Sequence, residues 1–217
     1  MFTLGGSHFA NVTQTNIAHV AGFGGGGTWD GTEGTPAADR VAAMQLTEFN
    51  SLDPDTAAQT VAVWAAVPGW VDAVVAGRPY ATVDALAAYA GELAAVWSRA
   101  DLDAALAHHP RIGEKPTGAG AEAAASRSEQ ASMASAADEV AAAIAAGNAA
   151  YEARFGRVFL IRAAGRSPHE MLAELHRRLD NDDSAEGREA TIQLAEIALL
   201  RLRGTIFDDD IEPEEAE

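Results

Sequence analysis

Three residues of this chain, a histidine, a glutamate and an arginine, have the types and spacing that acid/base chemistry needs. Leu102, Ala105, Leu106 and His109 fall on one stripe of a predicted helix, so the imidazole follows the apolar face inward. His109 also sits in the last turn, where unpaired carbonyls favour the imidazolium, an environment suited to a proton donor. A plain C-terminal helix cap explains the same placement. His108 points roughly 100° away and reads as a surface group. Glu129, Met133, Val140, Ile144 and Tyr151 keep spacings of four and seven, so this carboxylate extends an apolar stripe, with Ser126 on the same side. A core-facing carboxylate needs partners. The alternative is an exposed first turn, where Glu129 complements the helix dipole. Arg201 lies between Leu194, Ile197 and Ala198 in projection, while Arg203 falls opposite with Glu196. An arginine centred in an apolar stripe requires an anion, which either a bound carboxylate or a structural ion pair supplies.

The elements that must carry these residues read as helices almost throughout. Asp53-Pro54 opens a helix expected to run to about Val67 and to end at Pro68-Gly69. Trp70 to Ala76 is a short helix, and Thr82 caps one from Val83 to Trp97. Ser98 and Asp101 fit a capping box for the helix that Pro110 ends. One long alanine-rich helix is expected from near Ser126 to Arg154. Ser167-Pro168-His169-Glu170 starts the next, which runs to about Leu179, and the last spans Asp183-Ser184 to Arg203-Gly204. Val158 to Ile161 alone reads as extended, and one strand makes no sheet. The expected fold is all-α, a single compact helical domain over residues 44–207. Residues 1–43, with the run Gly22-Phe23-Gly24-Gly25-Gly26-Gly27, read as a flexible arm or as an extension upstream of a start at Met44. Residues 208–217 read as a disordered acidic tail.

Composition narrows the function classes. The 217 residues carry 15 basic and 32 acidic side chains, a net charge of −17, which argues against nucleic acid or an anionic membrane as partner. With no cysteine, disulfides, thiolate metal sites and a cysteine nucleophile are excluded, and the chain suits a reducing compartment. Neither a signal peptide nor a run of about 18 apolar residues is visible, so a cytoplasmic protein is expected. Lys115-Pro116-Thr117-Gly118-Ala119-Gly120 lacks phosphate-loop spacing and reads as a linker. His169 and His176 are seven apart with no third ligand at metal spacing, so no metal is expected.

Taken in order, several segments resemble the bacterial 2-oxo-4-hydroxy-4-carboxy-5-ureidoimidazoline (OHCU) decarboxylases over roughly Met44 to Asp208. They are Phe49-Asn50, Pro68-Gly69-Trp70, His109-Pro110-Arg111-Ile112-Gly113, Ser126 with Glu129-Gln130, Asn148 to Tyr151, Arg154-Phe155-Gly156, Phe159-Leu160-Ile161, Gly165-Arg166-Ser167 and Arg201-Leu202. The resemblance implies decarboxylation of OHCU to (S)-allantoin in urate breakdown, by an all-helical, commonly dimeric protein without metal or organic cofactor. It implies His109 as acid/base with Pro110 beside it, Glu129 as substrate ligand and proton partner, and Ser126 and Gln130 as neighbouring contacts. The backbone near Ile161 would meet the ring, and Arg201 the substrate's polar end. Arg157, Arg162 and Ser132-Met133 depart from the family pattern and bear on the shape of the pocket.

The parts suit that chemistry. Loss of CO2 leaves negative charge that the ring delocalises, so the protein must bind the ring, stabilise the charge and deliver one proton to one face. His109, Glu129, Ile161 and Arg201 are therefore expected to line one pocket. The competing readings are a non-catalytic acidic helical protein serving a partner, and an enzyme acting on another ureido compound.

Overall fold

Side-chain caps and prolines set most of the helix starts. The computed structural model describes residues 43–107, 111–114 and 121–209, the side chains of residues 134 and 135 excepted. The expectations for the 1–42 arm, His108, the Lys115 to Gly120 linker and the tail from residue 210 lie outside these residues. Among the described residues, β1 (Met44–Gln45) leads directly into α1 (Leu46–Ser51), which buries Leu46 and Phe49. α2 (Pro54–Trp64) opens on Asp53, whose carboxylate accepts the Asp55 and Thr56 amides at 3.1 and 3.0 Å. The expected continuation to Val67 does not form. The chain turns extended at Ala65, and Pro68 opens α3 (Pro68–Ala76) instead of closing α2. A residue before proline is pushed off helical angles, and only a first helical turn can spare the missing N–H.

α4 (Val83–Ala94) is capped by the Thr82 hydroxyl on the Ala85 amide at 3.0 Å and stops before Trp97. The Ser98–Asp101 capping box opens α5 (Arg99–Leu106). The expected helix from Ser126 to Arg154 is in fact two. α6 (Ala121–Glu129) gives way to a short 3-10 helix, Ala131–Ser135, and α7 (Asp138–Phe155) starts afresh after an extended Ala137. Alanine supports a helix but supplies little packing to fix its extent, and Asp138 and Glu139 favour a new N-terminus there. Gly156, at φ 69°, ends α7. α8 (Pro168–Leu179) opens on the Ser167–Glu170 capping box, and α9 (Asp183–Thr205) on Asp182. β2 (Ile206–Phe207) pairs in parallel with β1, Met44 against Ile206 and Gln45 against Phe207. Apart from this two-residue pairing the fold is all-α.

Two apolar clusters result. One gathers Phe49, Trp64, Val74, Leu86, Leu102 and Leu202 around α9, and the other gathers Ile144, Tyr151, Phe155, Met171 and Leu175 where α7 packs on α8. The extended stretch at 158–161 runs between them, with Leu160 in the first cluster and Phe159 and Ile161 in the second. It forms no ladder among the described residues. Side chains satisfy its backbone instead: Arg178 Nη1 donates to the Leu160 carbonyl at 2.7 Å, and the Arg162 amide donates to Gln193 Oε1 at 3.0 Å.

Asp208 and Asp209, expected in the disordered tail, belong to the packed domain. Asp208 Oδ1 accepts the Val83 amide at 2.8 Å and Asp209 Oδ1 the Thr47 amide at 3.2 Å. Val83 is the first residue of α4, whose free N–H groups attract a carboxylate. No helix among the described residues is long and apolar enough to cross a membrane.

Candidate active site

Arg201 is fixed by the stripe that buries it. Leu194, Ile197, Ala198, Arg201 and Leu202 all face the interior from α9, and Arg201 is 8% exposed. Its guanidinium makes four hydrogen bonds. Nε and Nη2 donate to the two Glu129 oxygens at 2.6 and 2.9 Å, and Nη2 also reaches Ser126 Oγ at 3.2 Å. Nη1 donates to the Val63 carbonyl at 2.9 Å, one of the carbonyls left without an intrahelical partner at the end of α2. The anion that Arg201 requires is thus Glu129, held in the planar two-point geometry that arginine favours.

Ser126 and Glu129, three apart on α6, reach Arg201 together from one face, as their spacing anticipates. The longer stripe drawn from Glu129 through Met133 to Val140 is broken by the turn at 130–137. Glu129 is therefore aimed by α6 and by Arg201, not by the register of α7. Gln130 follows at the end of α6, and its Oε1 accepts the Gly113 amide at 2.9 Å.

Glu129 and Gln130 open onto a narrow cleft of about 10 Å³, whose other walls include Ile112, Phe159, Ile161 and Ile197. Of the expected site residues, Glu129, Gln130 and Ile161 line this cleft. Ser126 and Arg201 stand behind Glu129, and Ile197 is one turn before Arg201. His109 and Pro110 lie outside the described residues. Downstream of them, Arg111 to Glu114 form a tight turn, with the Glu114 amide on the Arg111 carbonyl at 3.2 Å and Gly113 at φ 83°. Arg111 donates through Nε and Nη2 to the two Glu152 oxygens and holds that carboxyl below its usual range.

Sequence reasoning missed the group that shapes the far wall. Arg178 and Glu186, 1% and 0% exposed, form a buried pair in which Arg178 Nε donates to Glu186 Oε1 at 3.0 Å. Asn181 Nδ2 donates to Glu186 Oε2 at 2.9 Å, and the Tyr151 hydroxyl donates to Glu186 Oε1. Burial, then this hydrogen bond, pushes the Tyr151 phenol far above its ordinary range, so it remains a donor. The Phe159 ring lies 4.8 Å from the Arg178 guanidinium carbon. Phe159 and Ile161 are thereby held where the cleft needs them. Each charge lies near a helix end, where a dipole-complementing surface residue has the same signature.

The residues that depart from the family pattern do not enter the cleft. Arg157 lies between Asp103 and Asp183 at 3.4 and 3.3 Å, and Arg162 pairs with Glu196 at 3.1 Å. A larger hollow of about 580 Å³ is lined by Arg99, Asp103, Glu152 and Arg157 and contains none of the expected site residues. Its two cations and two anions balance each other. His169 and His176 are exposed, and no three His, Asp or Glu side chains among the described residues are grouped to hold a metal ion.

A family model described as OHCU decarboxylase matches residues 50–203 of the chain. Among solved structures, the chain is similar to a crystal structure of OHCU decarboxylase in the presence of (S)-allantoin, with 24% identity and a TM-score of 0.56, over 65% of this chain and 93% of that one. It is also similar to a crystal structure of (S)-allantoin synthase, with 19% identity and a TM-score of 0.56, over 75% of this chain and 54% of that one. At these identities the two structures establish a shared fold. No curated protein matches the chain.

Proposed function

The chain belongs to the OHCU decarboxylase family, the cofactor-independent carboxy-lyases that remove CO2 from OHCU in purine catabolism, and on that premise we propose that its reaction takes place in the cleft beside Glu129. One observation carries this reading. Ile112, the adjacent pair Glu129 and Gln130, and Ile161 come from three separate segments, yet they meet around a cleft whose only charged wall among the described residues is a carboxylate fixed from behind by arginine. A non-catalytic helical protein has no need of that convergence.

In the proposed mechanism Glu129 accepts hydrogen bonds from the N–H groups of the substrate. Each of its oxygens already takes one bond from Arg201 and retains a second lone-pair direction toward the cleft. Arg201 acts through Glu129 and lends positive charge to that side of the ring, while Ser126 steadies the pair. Backbone amides near Ile161 and the free amide nitrogen of Gln130 supply donors for the charge that develops as the C–CO2 bond breaks. The electron pair of that bond enters the conjugated ring. His109, with Pro110 beside it, then delivers one proton to one face of the ring, and CO2 leaves. A donor fixed on a single side yields (S)-allantoin.

The catalytic domain is residues 44–207, extended by the two aspartates that follow. We assign it to the cytoplasm as a homodimer, which the family resemblance supports. The test is to add the purified protein to freshly generated OHCU and follow both absorbance and circular dichroism. Accelerated loss of OHCU with growth of the (S)-allantoin signal is expected. Decay at the spontaneous rate to an optically inactive product would overturn the proposal.

A further inference from the structure

We propose that Asn148 is a positioning residue for the histidine-bearing segment, an inference that rests on the reading of the cleft given above. Three consecutive residues downstream of His109-Pro110, the first through its side chain and the next two through their backbone, are held by side chains of other elements. Arg111 is paired with Glu152, the Ile112 carbonyl accepts Asn148 Nδ2 at 2.9 Å, and the Gly113 amide donates to Gln130 Oε1 at 2.9 Å. Glu152 and Asn148 both come from α7, four residues apart, and so present one helical face to the turn. Ile112 is 5% exposed and forms part of the cleft wall. A shift of its backbone therefore moves the wall and the chain that leads back to His109.

The hydrogen bonding of Asn148 also points to a purpose other than stability. The side chain is 4% exposed, its nitrogen is used on Ile112, and its Oδ1 is buried with no hydrogen-bond partner. A half-satisfied buried amide contributes little to stability, because an apolar side chain of similar size only exchanges one acceptor without a donor, the Asn148 Oδ1, for another, the Ile112 carbonyl. What an apolar residue cannot do is fix the Ile112 carbonyl in direction and distance. Small displacements of catalytic groups are costly to turnover even when binding survives.

Asn148→Leu separates these roles. In the full-length protein it should leave the melting transition close to that of the parent, while backbone amides of residues 111–113 exchange with solvent faster. Turnover of OHCU should fall roughly 10–100-fold in kcat, with KM within about threefold of the parent value, as loss of transition-state positioning requires. Unchanged exchange at 111–113, or unchanged kcat in an active parent, would overturn the proposal. If the parent itself does not turn over OHCU, the reading of the cleft fails, and exchange alone decides whether Asn148 holds the turn. Should Asn148→Leu not fold, Glu152→Gln, at a partly exposed position on the same helical face, takes its place. Faster exchange at 111–113 with lowered kcat is then expected, and the absence of both would count against the clamp.

Discussion

At the residue scale the proposed chemistry divides labour between a fixed carboxylate, Glu129, and a proton donor, His109. Arg201 was legible in the sequence because a cation in the middle of Leu194, Ile197 and Ala198 must meet an anion on that face. Which anion would answer it was not legible, since a substrate carboxylate and a protein carboxylate leave the same mark on α9. The structure supplies Glu129, with Ser126 and the Val63 carbonyl taking the remaining bonds. That assignment places Arg201 behind the carboxylate and leaves protonation to another group. His109→Asn, which removes the proton and keeps much of the shape, should lower kcat about 10²–10⁴-fold while leaving the melting temperature nearly unchanged. Steady-state turnover with product optical activity followed in parallel checks this, and near-parental formation of (S)-allantoin would remove His109 from the mechanism.

At the element scale, local signals were strong wherever a polar side chain caps a backbone. The boxes at Ser98–Asp101 and Ser167–Glu170 and the Asp53-Pro54 start were legible because the bonds they make lie within one turn. The interruption between α6 and α7 was not, because alanine and serine carry helix propensity through a region whose course tertiary contacts decide. The 158–161 stretch shows the same limit in another form. Its β-rich composition announced an extended backbone but not Arg178 on the next helix, which bonds the Leu160 carbonyl while paired with Glu186. Glu186→Ala should cost about 3–5 kcal/mol of stability, because it strands a buried guanidinium. Urea denaturation measures this directly, and a loss under about 1 kcal/mol would show that Arg178 finds compensation elsewhere. Loosening of Phe159 and Ile161 should accompany the loss and widen the cleft.

At the scale of the whole molecule, the domain closes on itself through its two ends. Met44 pairs with Ile206, Asp208 caps α4, and Asp209 meets Thr47, so among the described residues the packing begins at Met44. Deletion of residues 1–43 should therefore leave the melting temperature and turnover nearly unchanged, whereas deletion through Gln45 should lower both. Loss of activity in the shorter deletion would make the upstream segment part of the enzyme. The position of the site within the domain is the central claim, and a crystal structure of this protein with (S)-allantoin tests it most directly. Ligand density is expected between Glu129, Gln130 and Ile161, with a ligand N–H within hydrogen-bond distance of a Glu129 oxygen and the Glu129–Arg201 pair intact. Ligand seated instead in the hollow between Arg99 and Arg157, with the Glu129 cleft empty, would contradict the account.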